Sequence, residues 1–456
     1  MKRGEGMAVR PVSRSREALG VSARNALGCA RMHILAELEA RGLVADVTDR
    51  AGLAALLDKG PVTFYCGYDP TAPSLHIGNL VPLVVQARLQ RAGHKPIVLV
   101  GGATGMVGDP SGKSAERNLL GDEELEANVA SQRKQLSRFL DFKRGPNAAI
   151  IVNNADWTRG VGYLEFLRDV GKYLTVNYMM AKESVRARLE GEAGISYTEF
   201  SYMLLQAFDF VHLAKARGCR LQVGGSDQYG NITAGCELSR KMGGTQLFGL
   251  TQPLLLDSSG QKMGKTSTGE RVWLDAELTS PYAFYQYWLN VADDDAPRFL
   301  KLFSSKSLAQ IDETVRSHDT DRSQRVAQRE LARTLTAWVH GEPEVARVEE
   351  ASRVMFGGSL DGVREDTLTL LTQVVPVVEI PRTELAAGIG IVDLLSRTVA
   401  ESKGAARRLV QQGGAYVNNV RVSDLEHKVS TEHLVTKTML VVRGGRKDYR
   451  LVRVTG

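Results

Sequence analysis

Residues 62–79, V-T-F-Y-C-G-Y-D-P-T-A-P-S-L-H-I-G-N, decide the fold of this chain. The β-type run 62–66 predicts a strand, Gly67 and Pro70 break it, and the apolar pattern of 75–92 predicts a helix. Backbone N–H groups at a helix start are unpaired and lie at the positive end of the helix dipole, which favours an anionic phosphate. The stretch therefore predicts a phosphate-binding turn at the tip of a strand.

The tetrapeptide at this helix start, His76-Ile77-Gly78-Asn79, follows a D-P-T-x-x-S-L turn and resembles the HIGH signature of the class I aminoacyl-tRNA synthetases. The flanking Y-C-G-Y-D-P-T narrows the resemblance to the tyrosyl family. Such a tetrapeptide alone also occurs in surface turns. A second signature far downstream, K-M-G-K-T at 262–266, resembles the mobile KMSKS loop of the same family, and the two together favour membership over chance.

A second apolar run, P-I-V-L-V at 96–100, is typical of a strand buried on both faces. The order strand, helix, strand predicts a parallel α/β sheet, whose ligands bind at the carboxyl ends of the strands. The following glycine loop, 101–113, has Val107 where a Walker motif requires glycine. We therefore interpret it as a substrate loop in which Asp109 faces a cation such as an amino group; a simple D-P-S-G turn is the alternative.

Further elements follow from the same periodicities. Predicted helices cover 122–139, 173–189, 197–213 and 229–242, and predicted strands cover 149–152, 221–223 and an apolar run from residue 254.

The helix at 197–213 carries a polar face. At ~100° per residue, Tyr202, Gln206 and Asp209 fall within an arc of about 60°, opposite an apolar side. A solvent-exposed face is the alternative, but such faces usually carry Lys and Glu. The neutral-to-acidic lining suits a zwitterion with a phenol.

The turn G-G-S-D-Q at 224–228 repeats the scheme of strand, glycine turn and helix, and it resembles the ribose-binding turn of the family. Gly225 permits close backbone approach, Asp227 can accept hydroxyl hydrogen bonds, and Gln228 can reach the amino acid; a helix-capping Asp is the alternative. Two lysines in the later loop, Lys262 and Lys265, can stabilise the charge of departing pyrophosphate. They would otherwise be ordinary solvated charges.

Composition indicates a globular protein of two or three domains, with 456 residues of which 43% are hydrophobic and 24% charged. No apolar run approaches the ~18–20 residues of a membrane span. The four cysteines show no C-x-x-C spacing, so the sequence predicts neither a metal site nor disulfides. It predicts a cytoplasmic location, since a reducing compartment fits best.

The formal charge of +6 lies mainly in residues 1–31, where seven basic and two acidic side chains contribute +5. The remainder is nearly neutral, so the charge is poor evidence for RNA binding. This Arg- and Ser-rich leader is compatible with an organellar transit segment. We favour a disordered extension, or a true start at Met32.

The fold class predicted is α/β: a Rossmann-like parallel-sheet catalytic domain, then an α-helical domain, then a small α+β RNA-binding domain. The last unit resembles a small RNA-binding module of the ribosome, and its basic side chains can pair with phosphates or form a solvated face: Arg397, Lys403, Arg407 and Arg408. The predicted division is a disordered basic extension at 1–31, a catalytic domain at 32–252, a mobile lysine-loop linker at 253–279, an anticodon-side helical domain at 280–355, a linker at 356–388 and an RNA-binding domain at 389–456.

The resemblance, which covers everything after residue 31, implies a homodimeric enzyme that activates L-tyrosine with ATP and passes it to the terminal adenosine of tRNA(Tyr). ATP is a substrate, with Mg²⁺ bound to it, and no membrane is involved. The implied tyrosine-binding residues are Tyr65, Asp109, Tyr202, Gln206, Asp209 and Gln228. The implied nucleotide-binding residues are Gly67, Asp69, Gly225, Asp227 and Lys265. The implied catalytic residues, which meet the phosphates, are Thr71, His76, Asn79, Lys262, Lys265 and Thr266.

Asn79 departs from the signature, where a second histidine is usual; its amide can donate from nearly the same place. Two alternatives stay open at this point. A related nucleotidyltransferase would share the first signature without reason to carry Tyr65 and Asp209. A non-catalytic RNA-binding relative would keep the C-terminal module without needing Lys262 and Lys265.

Overall fold

The computed structural model describes residues 32–111, 121–191, 194–266 and 269–456. The predicted leader and the end of the predicted substrate loop, residues 112 and 113, lie outside these ranges. The described residues form a six-stranded sheet in the order β1-β6-β5-β2-β3-β4. Its strands are β1 (Asp46–Val47), β2 (Thr63–Tyr68), β3 (Lys95–Val100), β4 (Ile150–Asn153), β5 (Cys219–Gly225) and β6 (Phe248–Gln252).

The topology of this sheet fixes where a ligand can bind. β2 pairs in parallel with β3 on one side and with β5 on the other. The chain runs from β2 outward through β3 to β4, then crosses back to β5 and continues to β6. The strand order therefore reverses between β2 and β5, and ligands of open α/β sheets bind at such a reversal, beyond the carboxyl ends of the strands.

Helices cover this sheet because its parallel strands are buried on both faces. α9 begins at Ser196, whose side chain accepts a hydrogen bond from the Glu199 backbone, and ends at Gly218, whose φ of +64° favours glycine. The helices of this unit are α1 (Ile34–Ala40), α2 (Arg50–Asp58), α3 (Leu80–Arg91), α4 (Asp122–Phe139), α5 (Ala155–Thr158), α6 (Tyr163–Asp169), α7 (Val176–Met180), α8 (Glu183–Leu189), α9 (Tyr197–Arg217) and α10 (Tyr229–Lys241).

A helical unit follows the sheet and shares its hydrophobic core. Trp288 is fully buried there, with Phe299 and Phe303 meeting its ring edge-on at centroid distances of 5.9 and 5.8 Å. The helices are α11 (Pro281–Leu289), α12 (Asp295–Phe303), α13 (Leu308–Thr320), α14 (Val326–His340), α15 (Glu342–Met355) and α16 (Glu365–Leu371). No helix of the described residues is long and apolar enough to cross a membrane.

The C-terminal unit is built on a sheet in the order β10-β9-β12-β13-β7. Leu440 and Val442 on one face of β12 pack in the unit's own core, whereas Val441 on the other face joins the core of the helical unit. The elements are β7 (Val377–Pro381), α17 (Arg382–Ala387), β8 (Ile389–Gly390), α18 (Ile391–Thr398), α19 (Lys403–Gln411), β9 (Ala415–Val417), β10 (Val420–Arg421), β11 (Lys428–Val429), β12 (Met439–Gly444) and β13 (Asp448–Thr455).

The predicted fold class is confirmed, since a mostly parallel sheet is followed by helices and then by a small α+β unit. The segment 356–388 differs from the linker that was predicted. It contains α16, β7 and α17, and β7 pairs in parallel with β13. Ile380 lies in the C-terminal core, which explains why this segment is ordered as a strand.

Two local predictions were wrong. The helix predicted over 173–189 is split into α7 and α8, because Lys182 takes an extended conformation and its Nζ donates to the Thr233 hydroxyl at 2.9 Å on α10. The strand predicted to begin at residue 254 is not observed. The strand in this part of the chain is β6, which lies earlier and ends just before Pro253. Proline has no N–H to donate to a sheet, so the strand stops there.

Candidate active site

A cavity of about 380 Å³ lies at the carboxyl ends of β2 and β5, beside α9. Lys265 and Thr266 do not line it. The predicted site residues that do are Tyr65, Gly67, Asp69, Thr71, His76, Asn79, Asp109, Tyr202, Gln206, Asp209, Gly225, Asp227, Gln228 and Lys262.

One part of the cavity wall combines Tyr65 with Asp209. Both side chains are buried, at 1% and 2% exposure, and the Tyr65 hydroxyl has no hydrogen-bond partner within the described chain. Asp209 accepts hydrogen bonds from Trp157 Nε1 at 2.8 Å and Asn154 Nδ2 at 2.9 Å. Burial raises the pKa of Asp209 to about 7, although these two hydrogen bonds lower it. A hydroxyl placed here would meet both a donor and an acceptor.

A chain of hydrogen bonds fixes the neighbouring wall. The Tyr202 hydroxyl donates to Asp69 Oδ2 at 2.9 Å, and the Thr104 hydroxyl donates to Asp69 Oδ1 at 2.8 Å. Asn154 Nδ2 donates to Thr104 Oγ1 at 3.0 Å and so links this chain to Asp209. Such a network holds its side chains in one arrangement before any ligand enters.

A second polar cluster surrounds Asp109, which is 7% exposed. Gln228 Nε2 donates to Asp109 Oδ2 at 2.6 Å, and the Ser111 backbone N–H donates to Oδ1 at 2.9 Å. Asn231 Nδ2 lies 3.1 Å from Gln206 Oε1 and 3.2 Å from Gln228 Oε1. A carboxylate among amide groups suits a ligand ammonium group, and the role of Asp109 toward such a group stays a prediction.

Close backbone approach explains two glycines at the strand tips. A Cβ on Gly225 would lie 2.5 Å from Asp227 Oδ1, and a Cβ on Gly101 would lie 2.2 Å from Asp69 Oδ1. At both positions a Cβ would force the carboxylate to shift. Each glycine therefore lets a carboxylate lie directly against the backbone.

The helix start at residue 76 begins as a single 3₁₀ turn, Ile77–Asn79, before α3. His76 Nδ1 accepts from the Gly78 backbone N–H at 3.0 Å, and Asn79 Oδ1 accepts from the His76 backbone N–H at 3.0 Å. This reciprocal cap directs the Asn79 oxygen back to the protein, so its Nδ2 is the atom suited to donate to a ligand anion.

The lysine loop, within residues 253–279, pairs with itself as an antiparallel hairpin beside the helix start at residue 76. Antiparallel bridges join Leu256 to Lys262 and Lys265 to Arg271. Lys262 reaches the cavity wall, whereas Lys265 is exposed outside it. The Thr266 backbone N–H donates to the Glu270 carbonyl at 2.7 Å, which places Thr266 near the hairpin end.

Comparison with known proteins agrees with this geometry. The family described as tRNA synthetases class I (W and Y) matches residues 57–357, and the Tyrosine--tRNA ligase SYY-like C-terminal domain matches residues 371–452. A tyrosine–tRNA ligase of Rhodopirellula baltica is 51% identical over 423 residues, covering 92% of this chain and 96% of the relative. One of Roseiflexus castenholzii is 48% identical over 423 residues, covering 92% and 99%. The chain belongs to the tyrosine–tRNA ligase family.

Solved structures of the tyrosine–tRNA ligase family support the same assignment. A C-terminally truncated mitochondrial tyrosyl-tRNA synthetase of Aspergillus nidulans has a TM-score of 0.65 and 33% identity, covering 72% of this chain and 95% of that chain. The corresponding Coccidioides posadasii protein has a TM-score of 0.61 and 33% identity, covering 70% and 91%. The resemblance drawn from the sequence signatures is confirmed, as is the prediction that the chain is an enzyme of the ligase class.

Sequence reasoning missed several residues of this ligase site. Asn154 and Trp157 hold Asp209, Thr104 holds Asp69, and Asn231 holds the amides around Asp109. Asn154 follows directly on the carboxyl end of β4, which was a usable signal, because ligands gather at that edge of the sheet. Thr104 lines the cavity and lies in the predicted substrate loop, which did not single it out. Trp157 and Asn231 contact site residues without lining the cavity, and no motif marked them.

Proposed function

We propose that this chain activates L-tyrosine with ATP, releases pyrophosphate, and transfers the tyrosyl group to the terminal adenosine of tRNA(Tyr). The observation that supports the proposal best is a cavity with two distinct polar parts. One part offers the buried Tyr65 hydroxyl and the Asp209 carboxyl, and the other offers Asp109 among amide groups. The first part complements a phenol hydroxyl, and the second part complements an ammonium group.

Selection against phenylalanine follows from burial. The phenol of tyrosine would accept from the Tyr65 hydroxyl and donate to Asp209. Phenylalanine would leave the buried Tyr65 hydroxyl without a partner and would leave Asp209 with its protein donors alone. Buried polar groups without partners are costly, and tyrosyl-tRNA synthetases are the standard example of discrimination by this effect. In the second part, Asp109, Tyr202, Gln206 and Gln228 would hold the α-amino group.

The chemistry needs positioning and charge stabilisation. A carboxylate oxygen of tyrosine attacks the α-phosphorus of ATP, and the bond from that phosphorus to the bridging oxygen breaks. Pyrophosphate leaves with the bonding electrons. Asp69, Asp227 and the glycine turns at Gly67 and Gly225 would line the adenylate. Thr71, His76, Asn79, Lys262, Lys265 and Thr266 would meet the phosphates, and fixed donors at developing charge are a large source of rate enhancement.

Lys265 and Thr266 require a movement for this role. Both lie outside the cavity wall, on a hairpin in which the described residues Gly269 and Glu270 are exposed. We propose that the segment 253–279 swings toward the phosphates when ATP binds, as catalytic loops commonly do.

Mg²⁺ would enter bound to the phosphates of ATP. Within the described ranges, no group of three or more His, Cys, Asp or Glu side chains could hold a metal ion. Mg²⁺ is commonly held by substrate phosphates with one or two carboxylates, so this arrangement fits the ion. It would supply charge neutralisation at the phosphates.

The tRNA would contact the helical and C-terminal units. Basic side chains of α18 and α19 lie at the surface of the C-terminal unit, where they can pair with phosphates. We keep the proposed domain division, with the C-terminal unit extended to include β7 because that strand belongs to its sheet.

Homodimerisation is proposed from exposed apolar side chains. Among the large hydrophobic residues exposed in the described chain, several lie between α6 and α10: Tyr163, Leu164, Val176, Met180, Leu189, Tyr197 and Tyr229. Exposed apolar side chains concentrated in one part of a chain are consistent with an interface. Sedimentation equilibrium should then give twice the chain mass, and a monomer at micromolar concentration would contradict it.

A cytoplasmic location is proposed from the cysteines. Cys66, Cys219 and Cys236 are free thiols, and Cys29 lies outside the described residues. Free thiols persist in reducing compartments.

Amino-acid-dependent exchange of labelled pyrophosphate into ATP tests the proposed function. Tyrosine-specific exchange supports it. Exchange with a different substrate would indicate the related nucleotidyltransferase, and no exchange with any amino acid would indicate the non-catalytic RNA-binding relative.

A further inference from the structure

The cavity is rich in carboxylates and poor in cations. Asp69, Asp109, Asp209 and Asp227 all line it. A nucleoside triphosphate would bring further negative charge into the same space. Of the lysine and arginine side chains in the described ranges, Lys262 and Arg271 are the ones that reach the cavity wall. Arg271 belongs to neither sequence signature and has no role in the function proposed above.

The position of Arg271 places it beside the helix start. Its guanidinium carbon lies 5.1 Å from the ring centroid of Trp273, within the range of a cation–π contact. Trp273 in turn forms an antiparallel bridge with His76, and the two rings lie edge to face at 6.5 Å. Trp273 therefore connects Arg271 to His76, the residue that opens the phosphate-binding turn.

The hairpin gives Arg271 a second relation to the phosphate site. It bridges directly to Lys265 on the facing strand, and residues paired in this way point their side chains to the same face. Arg271 is exposed and makes no ion pair with any described residue, so its charge is not neutralised by a carboxylate. An arginine can contact phosphate oxygens through two parallel N–H groups, which a lysine cannot.

We propose that Arg271 binds the β- and γ-phosphates of ATP and stabilises pyrophosphate as it leaves. This role rests on the proposed function and adds a residue to it. The guanidinium transfers no proton; it donates hydrogen bonds to oxygens whose negative charge increases as the bond to the α-phosphorus breaks. It occupies the cavity wall before any movement of the hairpin, whereas Lys265 must move to reach the phosphates.

The test compares the full-length wild type with R271A, R271K and a control, R316A. Arg316 is an exposed arginine on α13, outside the cavity, so R316A removes the same charge at a distance. Quenched-flow measurements give the rate constants for adenylate formation and for the reverse reaction with pyrophosphate. Equilibrium dialysis gives the dissociation constant for tyrosine.

We expect R271A to lower both rate constants about 10- to 100-fold, since removing one preorganised donor to a developing charge costs about that much or more. Tyrosine affinity should stay within about twofold, because Arg271 lies away from the phenol. R271K should fall between R271A and the wild type, and R316A should match the wild type.

Rate constants for R271A within about twofold of the wild type in both directions would overturn the proposal. An equal loss in R316A would also overturn it, because a remote charge would then act the same way. Absence of tyrosine-dependent exchange in the wild type would instead refute the proposed function itself.

Discussion

Tyrosine binding should depend on pH through Asp209. The pKa of this carboxyl is raised from its ordinary value of 3.8 to about 7, mainly by burial and to a smaller extent by the nearby Asp69, against the hydrogen bonds from Asn154 and Trp157, which lower it. The ionised carboxylate is a stronger acceptor for the phenol hydrogen of tyrosine than the protonated carboxyl is. The affinity should therefore increase as the pH rises toward 7 and level off above it.

The magnitude follows from the ionised fraction. With a pKa of about 7, roughly one eleventh of the protein carries ionised Asp209 at pH 6, and about ten elevenths at pH 8. The dissociation constant for tyrosine should then be up to about tenfold larger at pH 6 than on the plateau, which corresponds to a loss of up to about 1.4 kcal/mol in binding free energy.

The same shift has a consequence for folding. Between pH 4 and 7 the folded chain keeps a proton on Asp209 that the unfolded chain releases. The contribution of this group to stability is therefore present at low pH and is lost as the pH rises through about 7.

Equilibrium dialysis with labelled tyrosine between pH 5.5 and 8.5 provides the assay. His212 also faces this region, stacked on Trp157 at 4.5 Å, and burial lowers its pKa. The W157F variant distinguishes titration of Asp209 from titration of His212. Because the Trp157 hydrogen bond lowers the pKa of Asp209, W157F should move the midpoint of tyrosine binding to higher pH, and D209N should remove the dependence. A flat profile in the wild type, or an unchanged midpoint in W157F, would refute the reasoning.

Three further predictions concern binding, catalysis and stability. N79A should slow adenylate formation by about one to three orders of magnitude, and unchanged pre-steady-state kinetics would remove Asn79 from catalysis. N231A should weaken tyrosine binding more than ATP binding, because Asn231 orients the groups around Asp109; separate equilibrium titrations decide this. R188A should lower the free energy of unfolding, measured in urea titrations, by about 3–5 kcal/mol. The reason is that it leaves Glu199 buried, at 3% exposure, without its ion-pair partner. A loss below about 1 kcal/mol would contradict this.

Much of the fold could be predicted because local signals and tertiary structure agree. The run 62–66 and the helix after it lie at the switch point of the sheet. There the sequence of the strand, of the glycine turn and of the helix start each indicates the same structure that the tertiary fold requires. One of the two local errors arose where a contact with a distant residue determines the structure. Nothing in the segment 173–189 signals that Lys182 bonds to Thr233 on another helix.

The candidate site could be predicted where a residue itself faces the cavity. Tyr202, Gln206 and Asp209 share one helical face, so their spacing was sufficient. Asn154 and Trp157 act by holding Asp209, and this relation exists only once β4 and α9 have packed together. Sequence spacing carries no information about such contacts, because each partner lies on a separate element.

The two parts of the cavity differ in a way that matches what each must do. Burial raises the pKa of Asp209, although its neutral donors lower it, and burial also makes every lost hydrogen bond costly. Such an environment suits recognition of one side chain. Lys262 and Arg271 are exposed on a hairpin, where water screens their charge. Pyrophosphate must leave after the reaction, and exposed cations can stabilise it during departure without trapping it afterwards. A buried arginine in that position would hold the product more tightly and slow its release.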